Sequence, residues 1–409
     1  MFRIKTMNQI SPRGLALFPP SRYEVADGLD RPDALLVRSA DLHSAVIPDS
    51  VQAVARAGAG YNNIPVPWCS ERGIVVFNTP GGNANAVKEL AIACLLIASR
   101  DILGGAAWVS ALIENGCGYD EAADEAVKAK IQEKAIKEKI ENEKSRFEGP
   151  ELRGKTLGVV GLGAVGVMAA NDAVALGMEV MGYDPYISVD AAWNLSRSVA
   201  RADTLEGLLA KADYVSLHLP LSAATEGIMN NGAFSVIKPG ARLINLARGE
   251  LVREGDLIAA LKKGTLSCYV TDFPTPLLLA CPKAICIPHL GASTPEAEDN
   301  CAVMAASQLR DFLETGAIKN SVNFPACRLE QRAQYRLLVA NRNIPNMLGQ
   351  ITTALADLNI NIVSSINQSR DAYAYNIINT DQDVPEEALS RLRAVQGIIR
   401  VRALKREAD

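Results

Sequence analysis

Two polar side chains follow apolar runs in an alternating strand and helix pattern, and their types suit chemistry on a small acid. Arg248 lies in NLARGELV, after the run Arg242–Leu246, and His289 lies in IPHLGAS, after the run Ala284–Ile287. An arginine fork binds a carboxylate through paired hydrogen bonds, and a histidine titrates near neutral pH. Open α/β sheets place such groups beyond the carboxyl ends of their strands. Both residues are therefore candidates for catalysis.

A glycine-rich turn, GLGAVG, lies earlier in the chain. It follows the strand Leu157–Val160 and opens the helix Ala164–Leu176, and Asp184 ends the next strand. This context predicts a dinucleotide site, with the pyrophosphate at the helix N-terminus. The carboxylate at 184 accepts a hydrogen bond from a ribose 2′-OH and repels a 2′-phosphate, so NAD is favoured over NADP. The alternative is a glycine-rich turn that binds no ligand.

The three glycines of this turn have different predicted roles. Gly161 permits the tight turn, and Gly163 lets the backbone approach the pyrophosphate. Gly166 lets the helix lie close to the strand.

The elements that position these residues follow a repeated strand and helix order from Lys155 to about His289. Continuous apolar strands with helical crossovers predict an α/β fold, a doubly wound parallel sheet of the Rossmann type. The first hundred residues alternate in the same way.

The segment Tyr119–Phe147 is dense in Glu and Lys and has helical spacing, which favours a solvated helix packed on a neighbour or a partner subunit.

The last part of the chain has a different order. Gly316–Pro325 has the composition of a linker, and the elements after it follow the order βαββαβ. This is the ferredoxin-like order, which predicts a separate small domain.

Composition excludes several classes of protein. The chain has 409 residues and a net charge of −4, which offers no basic face for nucleic acid. Its eight cysteines are scattered, without CxxC pairs or zinc-site spacing, so no metal site is expected. The first residues lack a signal-peptide core, and the longest apolar run, Ala91–Ala98, is too short to span a membrane. These features predict a cytoplasmic protein.

The motifs GLGAVG, NLARGELV and IPHLGAS, in this order, resemble the D-isomer-specific 2-hydroxyacid dehydrogenases over essentially the whole chain. The resemblance implies NAD-dependent oxidation of a D-2-hydroxyacid, with Arg248 binding and polarising the substrate and His289 as acid and base. It also implies further cofactor contacts at Thr79, Ala164, Val165, Asp184, Leu246, Ala247, Asp272, Gly291 and Ala292.

The resemblance also predicts the domain organisation. A discontinuous, flavodoxin-like substrate-binding domain is expected over 1–98 and 290–325, and the NAD-binding domain over 99–289. Residues 335–409 resemble the ACT domain, a small regulatory module that binds amino acids between subunits.

One departure from the family concerns the partner of His289. The family supplies a Glu a few residues after the Asp that corresponds to Asp272, and this Glu orients the catalytic His. Here the stretch DFPTPLLLACPKAICIPH is shorter than usual and contains no Glu. We therefore expect a lower pKa for His289 than in relatives. Glu254, Asp272 and Glu296 are the candidate substitutes.

An anion pocket is predicted in the first domain. Arg38 ends a strand, and Arg56 precedes the turn Gly58, Ala59 and Gly60. Two arginines near backbone N–H groups can hold a phosphate and a carboxylate, although surface arginine is the alternative. In family members that oxidise 3-phosphoglycerate, the matching motifs VRSA and RAGAG contact the substrate, so the resemblance implies that substrate here.

The C-terminal domain implies an effector. The motifs NRNIPNML and LNINIVSS match the positions that contact serine in the family at Asn343 and Asn361. Asn346 replaces the usual Gly, and Asn tolerates the left-handed backbone. The resemblance thus implies an L-serine effector and a homodimer or homotetramer; a domain that only dimerises is the alternative.

Two other functions are compatible with these motifs. The chain could oxidise another D-2-hydroxyacid, such as glycerate, or reduce glyoxylate or hydroxypyruvate. It could also be an NAD(H)-sensing regulator without turnover, similar to transcriptional corepressors built on the same fold.

Overall fold

A computed structural model describes residues 1–114, 125–330 and 333–405. The chain forms two compact units, one made of Met1–Asn83 with Thr294–Asp409 and the other of Ala84–Ser293. The sequence placed the crossings near residues 98 and 290. The structure moves the first one because the helix Ala84–Ser99 buries Ala91 and Leu95 in the core of the second unit.

The first unit begins with a parallel sheet whose strand order is β2-β1-β3-β4-β5, the flavodoxin-like order that the sequence predicted. Its central strand β3 is buried along its whole length, as parallel strands covered on both faces should be. The elements are β1 (Phe2–Met7), α1 (Pro12–Leu15), β2 (Tyr23–Ala26), β3 (Ala34–Val37), β4 (Ala53–Arg56), α2 (Val66–Glu71) and β5 (Val75–Phe77).

The second unit is a Rossmann-type sheet of seven parallel strands in the order β12-β11-β10-β9-β6-β7-β8. The direction of winding reverses between β6 and β9, which is where such sheets bind their ligands. Its strands are β6 (Thr156–Val160), β7 (Glu179–Tyr183), β8 (Val199–Arg201), β9 (Tyr214–Leu217), β10 (Ala241–Asn245), β11 (Leu266–Thr271) and β12 (Ala284–Cys286).

Helices cover both faces of this sheet. The helices of the second unit are α3 (Ala84–Ser99), α4 (Ile102–Glu114), α5 (Glu125–Glu143), α6 (Ala164–Ala175), α7 (Val189–Asn194), α8 (Leu205–Leu209), α9 (Asn231–Val236), α10 (Glu254–Lys263) and α11 (Pro276–Leu279). Short 3-10 turns lie at Lys144–Phe147 and Gly249–Leu251. The helix predicted in the charged segment corresponds to α5, which carries the ion pair Glu133–Lys137; residues 119–124 of that segment lie outside the described residues.

The chain then returns to the first unit and ends in a small antiparallel sheet with the order β14-β15-β13-β16, which confirms the βαββαβ prediction. The elements are α12 (Pro295–Thr315), β13 (Tyr335–Arg342), α13 (Met347–Ala356), β14 (Ile362–Arg370), β15 (Tyr373–Thr380), α14 (Glu386–Ala394) and β16 (Ile398–Lys405). Leu337 and Val339 on one face of β13 pack against α13 and α14. Leu338 and Ala340 on the other face join the core of the first sheet.

Two arginines fix this second face to the rest of the first unit. Arg402 donates to the carbonyl oxygen of Phe312 at 2.6 Å and to the side chain of Gln52. Arg336 donates to the carbonyl oxygen of Thr315 at 2.7 Å. Burial lowers the pKa of the Arg402 guanidinium below its usual value, because the charged form loses water. The C-terminal domain is thus packed into the first unit by polar as well as apolar contacts.

The segment Gly316–Pro325, which the sequence suggested as a linker, is bound along strand β5. Asn323 is buried; its Oδ1 accepts from the backbone N–H of Val76 at 2.9 Å, and its Nδ2 donates to the carbonyl oxygen of Ile74 at 2.9 Å. An amide side chain can satisfy a donor and an acceptor together. This segment therefore covers the edge of the first sheet instead of connecting two independent domains.

Within the described residues, no helix alone has the length and apolar composition needed to cross a membrane. The helices α3 and α4 meet those two criteria only as a pair, across a bend of 69° over Ala84–Ser99 and Ile102–Leu112.

Candidate active site

The glycine-rich turn after β6 has the backbone that a dinucleotide site requires. Gly161 has a φ of +93°, and a side chain there would meet the carbonyl oxygen of His218 at 2.7 Å. A Cβ on Gly166 would lie 2.0 Å from the carbonyl oxygen of Gly161, so only glycine lets α6 begin this close to β6. A Cβ on Gly163 meets no atom within 4 Å and would point into open space. The space above Gly163 fits a pyrophosphate on the N-terminus of α6.

Alanine substitutions should separate the two roles. Gly166→Ala should lower the free energy of unfolding by roughly 3 kcal/mol or more, because backbone atoms must move. Gly163→Ala should leave stability almost unchanged, since Gly163 has φ −73° and ψ −166°, a conformation open to alanine. It should nevertheless raise the Kd for NADH about tenfold or more by blocking the pyrophosphate. Urea unfolding and fluorescence titration with NADH measure the two effects. Normal NADH affinity in Gly163→Ala would contradict this placement of the pyrophosphate.

A cavity of about 380 Å³ opens beside the turn, lined by Leu162, Gly182, Asp184, Pro185, Leu195 and Val199 among others. This volume lies in the range of small-ligand sites. The carboxylate of Asp184 accepts from the backbone N–H of Leu162 at 2.9 Å and from that of Tyr186 at 2.8 Å. Each carboxylate oxygen keeps a second lone pair, so Asp184 is held in place and can still accept from a ribose hydroxyl.

The loop that carries Arg248 is wrapped around a buried asparagine. Asn245 donates through Nδ2 to the carbonyl oxygen of Arg248 at 2.8 Å, and its Oδ1 accepts from the N–H of Ala247 at 3.1 Å. Arg248 itself is exposed and donates through Nη1 to the carbonyl oxygen of Ala247 at 2.6 Å. Sequence reasoning singled out Arg248 but missed Asn245. An asparagine at the end of an otherwise apolar strand was the available signal, because a buried amide must be satisfied.

His289 lies in a loop that follows β12 and contacts the end of β11. The N–H of Ile287 donates to the carbonyl oxygen of Thr271 at 2.9 Å. The N–H of Gly291 donates to Oδ2 of Asp272 at 3.4 Å. The imidazole is exposed and its ring centroid lies 4.9 Å from that of Phe273. Burial raises the pKa of the Asp272 carboxyl above its usual value, and the nearby charges of His289 and Arg248 oppose that rise. The second unit thus brings Arg248, Asp272 and His289 to one edge.

His218 immediately follows β9. Its Nε2 lies 2.9 Å from Oγ of Ser216. Burial lowers its pKa to about 4, so it stays neutral at physiological pH. This histidine lies against the glycine-rich turn, because Cβ atoms on Gly161 and Gly166 would both come close to it.

The predicted anion residues meet in the first unit. The guanidinium of Arg56 lies directly over Gly58, where a Cβ would come within 2.0 Å of Nη1. Its Nε donates to the carbonyl oxygen of Arg38 at 3.1 Å. Arg38 in turn forms an ion pair with Glu298 on α12, a partner that the sequence did not indicate. The turn is thus shaped to hold the Arg56 guanidinium, while Glu298 offsets part of the charge of Arg38.

Asn78 and Thr79 pack against the same turn. The N–H of Thr79 donates to the carbonyl oxygen of Gly58 at 3.1 Å, and Nδ2 of Asn78 donates to that of Ala59 at 2.6 Å. The side chain of Thr79 is fully buried. The structure therefore shows Thr79 stabilising the turn, and its predicted cofactor contact stays a prediction.

The predicted effector residues lie at opposite ends of the C-terminal sheet. Nδ2 of Asn343 donates to the carbonyl oxygen of Asp371 at 3.0 Å, whereas the N–H of Asn361 donates to the carboxylate of Asp381 at 3.1 Å. Strand β15, Tyr373–Thr380, separates the two ends, a span of roughly 23 Å. One chain therefore does not bring both asparagines to one small ligand. Asn346 has a φ of +66°, which confirms that Asn adopts the left-handed backbone there.

Comparison with known proteins identifies both parts of the chain. Residues 124–291 match the D-isomer specific 2-hydroxyacid dehydrogenase, NAD binding domain, and residues 335–397 match the ACT domain. D-3-phosphoglycerate dehydrogenase of Escherichia coli (strain K12) is 30% identical over 358 residues, which cover 84% of this chain and 79% of the relative. The enzyme of the same name from Archaeoglobus fulgidus is 33% identical over 75% of this chain.

Solved structures of other proteins share this fold. The NAD+-bound 3-phosphoglycerate dehydrogenase of Entamoeba histolytica has a TM-score of 0.57 and 25% identity, covering 79% of this chain and 98% of that chain. The fold is also shared with D-mandelate dehydrogenase of Rhodotorula graminis, with a TM-score of 0.62, 22% identity and coverage of 78% of this chain and 97% of that chain.

The chain belongs to the D-isomer specific 2-hydroxyacid dehydrogenase family and carries an ACT domain at its C-terminal end. Its cofactor is NAD, as the family match and the turn with Asp184 both indicate. The chain spans about half the length of several curated relatives that it matches, 54% of the Archaeoglobus fulgidus enzyme for example.

Proposed function

We propose that this protein oxidises D-3-phosphoglycerate to 3-phosphohydroxypyruvate with NAD, the first step of phosphorylated serine synthesis. The observation that carries the substrate assignment is the Arg56 guanidinium seated over Gly58, next to Arg38. The relatives at 30–35% identity are named for this reaction. A guanidinium binds a phosphate through strong, often bidentate, charge-assisted hydrogen bonds, and this turn holds one in place.

Two residues of the second unit bind the substrate carboxylate and transfer the hydroxyl proton. Arg248 holds the substrate carboxylate and polarises the oxygen at C2. His289 in its neutral form removes the proton of the C2 hydroxyl as the C–H bond breaks and the carbonyl forms. NAD would be held by the glycine-rich turn and Asp184 and would supply the hydride acceptor for C2. Thr79, Leu246, Ala247, Asp272, Gly291 and Ala292 remain proposed cofactor contacts.

The phosphate assignment predicts a selective loss in Arg56→Ala. Removing a charge-assisted contact should lower kcat/KM for 3-phosphoglycerate about tenfold to a hundredfold, with little change for D-glycerate. Arg38→Ala should cost less, since Arg38 is already paired with Glu298. Initial rates with both substrates test this. Equal losses for the phosphorylated and unphosphorylated acids would contradict a phosphate contact at Arg56.

The decisive measurement for the function is NAD reduction with 3-phosphoglycerate, D-glycerate and D-lactate. A strong preference for the phosphorylated acid supports the proposal. Equal or better rates with unphosphorylated acids would assign another D-2-hydroxyacid. NADH binding without any turnover would favour a regulatory protein.

The ACT domain is the basis for the proposed assembly and effector. Because Asn343 and Asn361 lie at opposite ends of one sheet, two copies of the chain are needed to bring them to one L-serine molecule. A homodimer or homotetramer is therefore proposed.

The cytoplasmic location stays a prediction. All seven of the described cysteines are free, which agrees with a reducing compartment.

A further inference from the structure

The residue that supports His289 is an open question in this chain, because the segment between Asp272 and His289 contains no Glu. Of the three carboxylates that the sequence offered, Glu254 accepts a hydrogen bond from the Thr275 hydroxyl at the start of α11. Glu296 lies in the first turn of α12, in the other compact unit. Asp272 lies at the end of β11, directly beneath the loop of His289.

The His289 loop is attached to Thr271 and Asp272 at both of its ends. Ile287 bonds to the carbonyl oxygen of Thr271, and Gly291 bonds to the Asp272 carboxylate. A Cβ on Gly291 would lie 3.3 Å from Oδ2 of Asp272, so glycine allows the loop to approach the carboxylate. His289 is the middle residue of this five-residue loop, and its ring packs against Phe273. The backbone therefore holds the imidazole over the 271–273 segment.

One oxygen of the Asp272 carboxylate is left without a hydrogen bond. Asp272 is 1% exposed, and within the described residues its Oδ1 is buried and has no hydrogen-bond partner. An unsatisfied buried carboxylate oxygen is costly, which is why such atoms tend to mark function. The pKa of Asp272 is raised by burial, and the charge of His289, the N–H of Gly291 and the charge of Arg248 oppose that rise. Cys94 and Tyr269, the other titratable groups near it, have pKa values raised by burial and are neutral.

We propose that Asp272 takes the place of the missing glutamate, its Oδ1 accepting a hydrogen bond from the His289 imidazole when the ring turns toward it. Asp272 is then a positioning residue that fixes the tautomer of His289 and stabilises its protonated form. This assignment rests on the proposed function for its catalytic consequence, but the contact itself is a property of the second unit. The isosteric Asp272→Asn variant keeps an acceptor for Gly291 and removes the charge.

The first test is a proton titration that needs no substrate. The chain has three histidines, so their imidazole signals can be assigned with single His→Gln variants and followed by NMR across pH. In Asp272→Asn the midpoint for His289 should fall by about one pH unit, because a nearby negative charge no longer favours the imidazolium. Glu254→Gln is the matched control and should leave that midpoint in place. An unchanged His289 midpoint in Asp272→Asn, or a shift in Glu254→Gln instead, would overturn the proposal.

The second test uses turnover in both directions. Oxidation needs neutral His289 and reduction needs the protonated form, so Asp272→Asn should move the acidic limb of the oxidation profile to lower pH. It should also lower kcat for ketoacid reduction near pH 8 about tenfold. A rise in the KM for NAD with both pH profiles unmoved would reduce Asp272 to a cofactor contact and overturn the proposal. Since the NMR titration is independent of turnover, a chain inactive on every hydroxyacid would remove the proposed function and still report on the contact.

Discussion

Arg248→Ala is expected to lower kcat/KM for the hydroxyacid by on the order of 1,000-fold, the loss typical of removing a donor from a developing oxyanion together with its carboxylate clamp. The Kd for NADH should stay close to that of the parent protein. The reason is structural: Arg248 is exposed at the end of its loop, while Asn245 holds that loop from inside through contacts with backbone atoms. Truncating the Arg248 side chain leaves those contacts intact.

Arg248→Lys provides the matched comparison. Lysine retains the charge but not the planar fork, so the variant should recover only part of the lost rate. Initial rates and NADH fluorescence titration, made on all three proteins, give the two quantities needed. Turnover by Arg248→Ala within a few fold of the parent would exclude Arg248 from substrate binding.

His289→Gln should lower kcat by about 100- to 10,000-fold, the range expected when a general base is removed. Its residual rate should lose the pH dependence that proton transfer to His289 gives the parent protein. In the parent protein the oxidation rate should rise with pH as His289 loses its proton. His218 does not account for such a limb, because burial lowers its pKa to about 4.

His43→Gln is the control for this prediction. His43 is exposed and its Nε2 lies 3.1 Å from the carbonyl oxygen of Asn62 in the first unit. The variant should show the parent rate and the parent pH profile. A pH profile that is unchanged in His289→Gln would assign proton transfer to another group.

The C-terminal domain packs against the strand that ends in Arg56. Its sheet shares an apolar core with the first sheet and places Arg402 between Gln52 and Phe312. Gln52 immediately precedes β4, and Arg56 ends that strand. The domain that resembles an effector-binding module therefore contacts one end of the strand whose other end carries the proposed phosphate ligand.

Much of the fold could be predicted because its elements have local signals. Strand β6 contains the run Leu157–Val160 that the sequence indicated as a strand, since an apolar run that leads into a glycine-rich turn marks a buried parallel strand. The glycine-rich turn is equally local, because the roles of Gly161, Gly163 and Gly166 depend on φ values and on atoms a few residues away. The candidates Arg248 and His289 followed from their positions at strand ends.

The remaining features depend on contacts between residues far apart in the chain. Arg38 pairs with Glu298, 260 residues away. Asn323 accepts a hydrogen bond from Val76 on the edge strand β5, 247 residues away. Neither pair has a periodic signal, because side-chain partners across a core are chosen by packing and not by spacing. The same holds for the loop of His289, whose hydrogen bonds to Thr271 and Asp272 follow from the pairing of β11 with β12. The sequence by itself thus determined which residues stand at the ends of the strands, and the tertiary structure decided which of them meet, since only the packed sheet brings its strand ends to one edge.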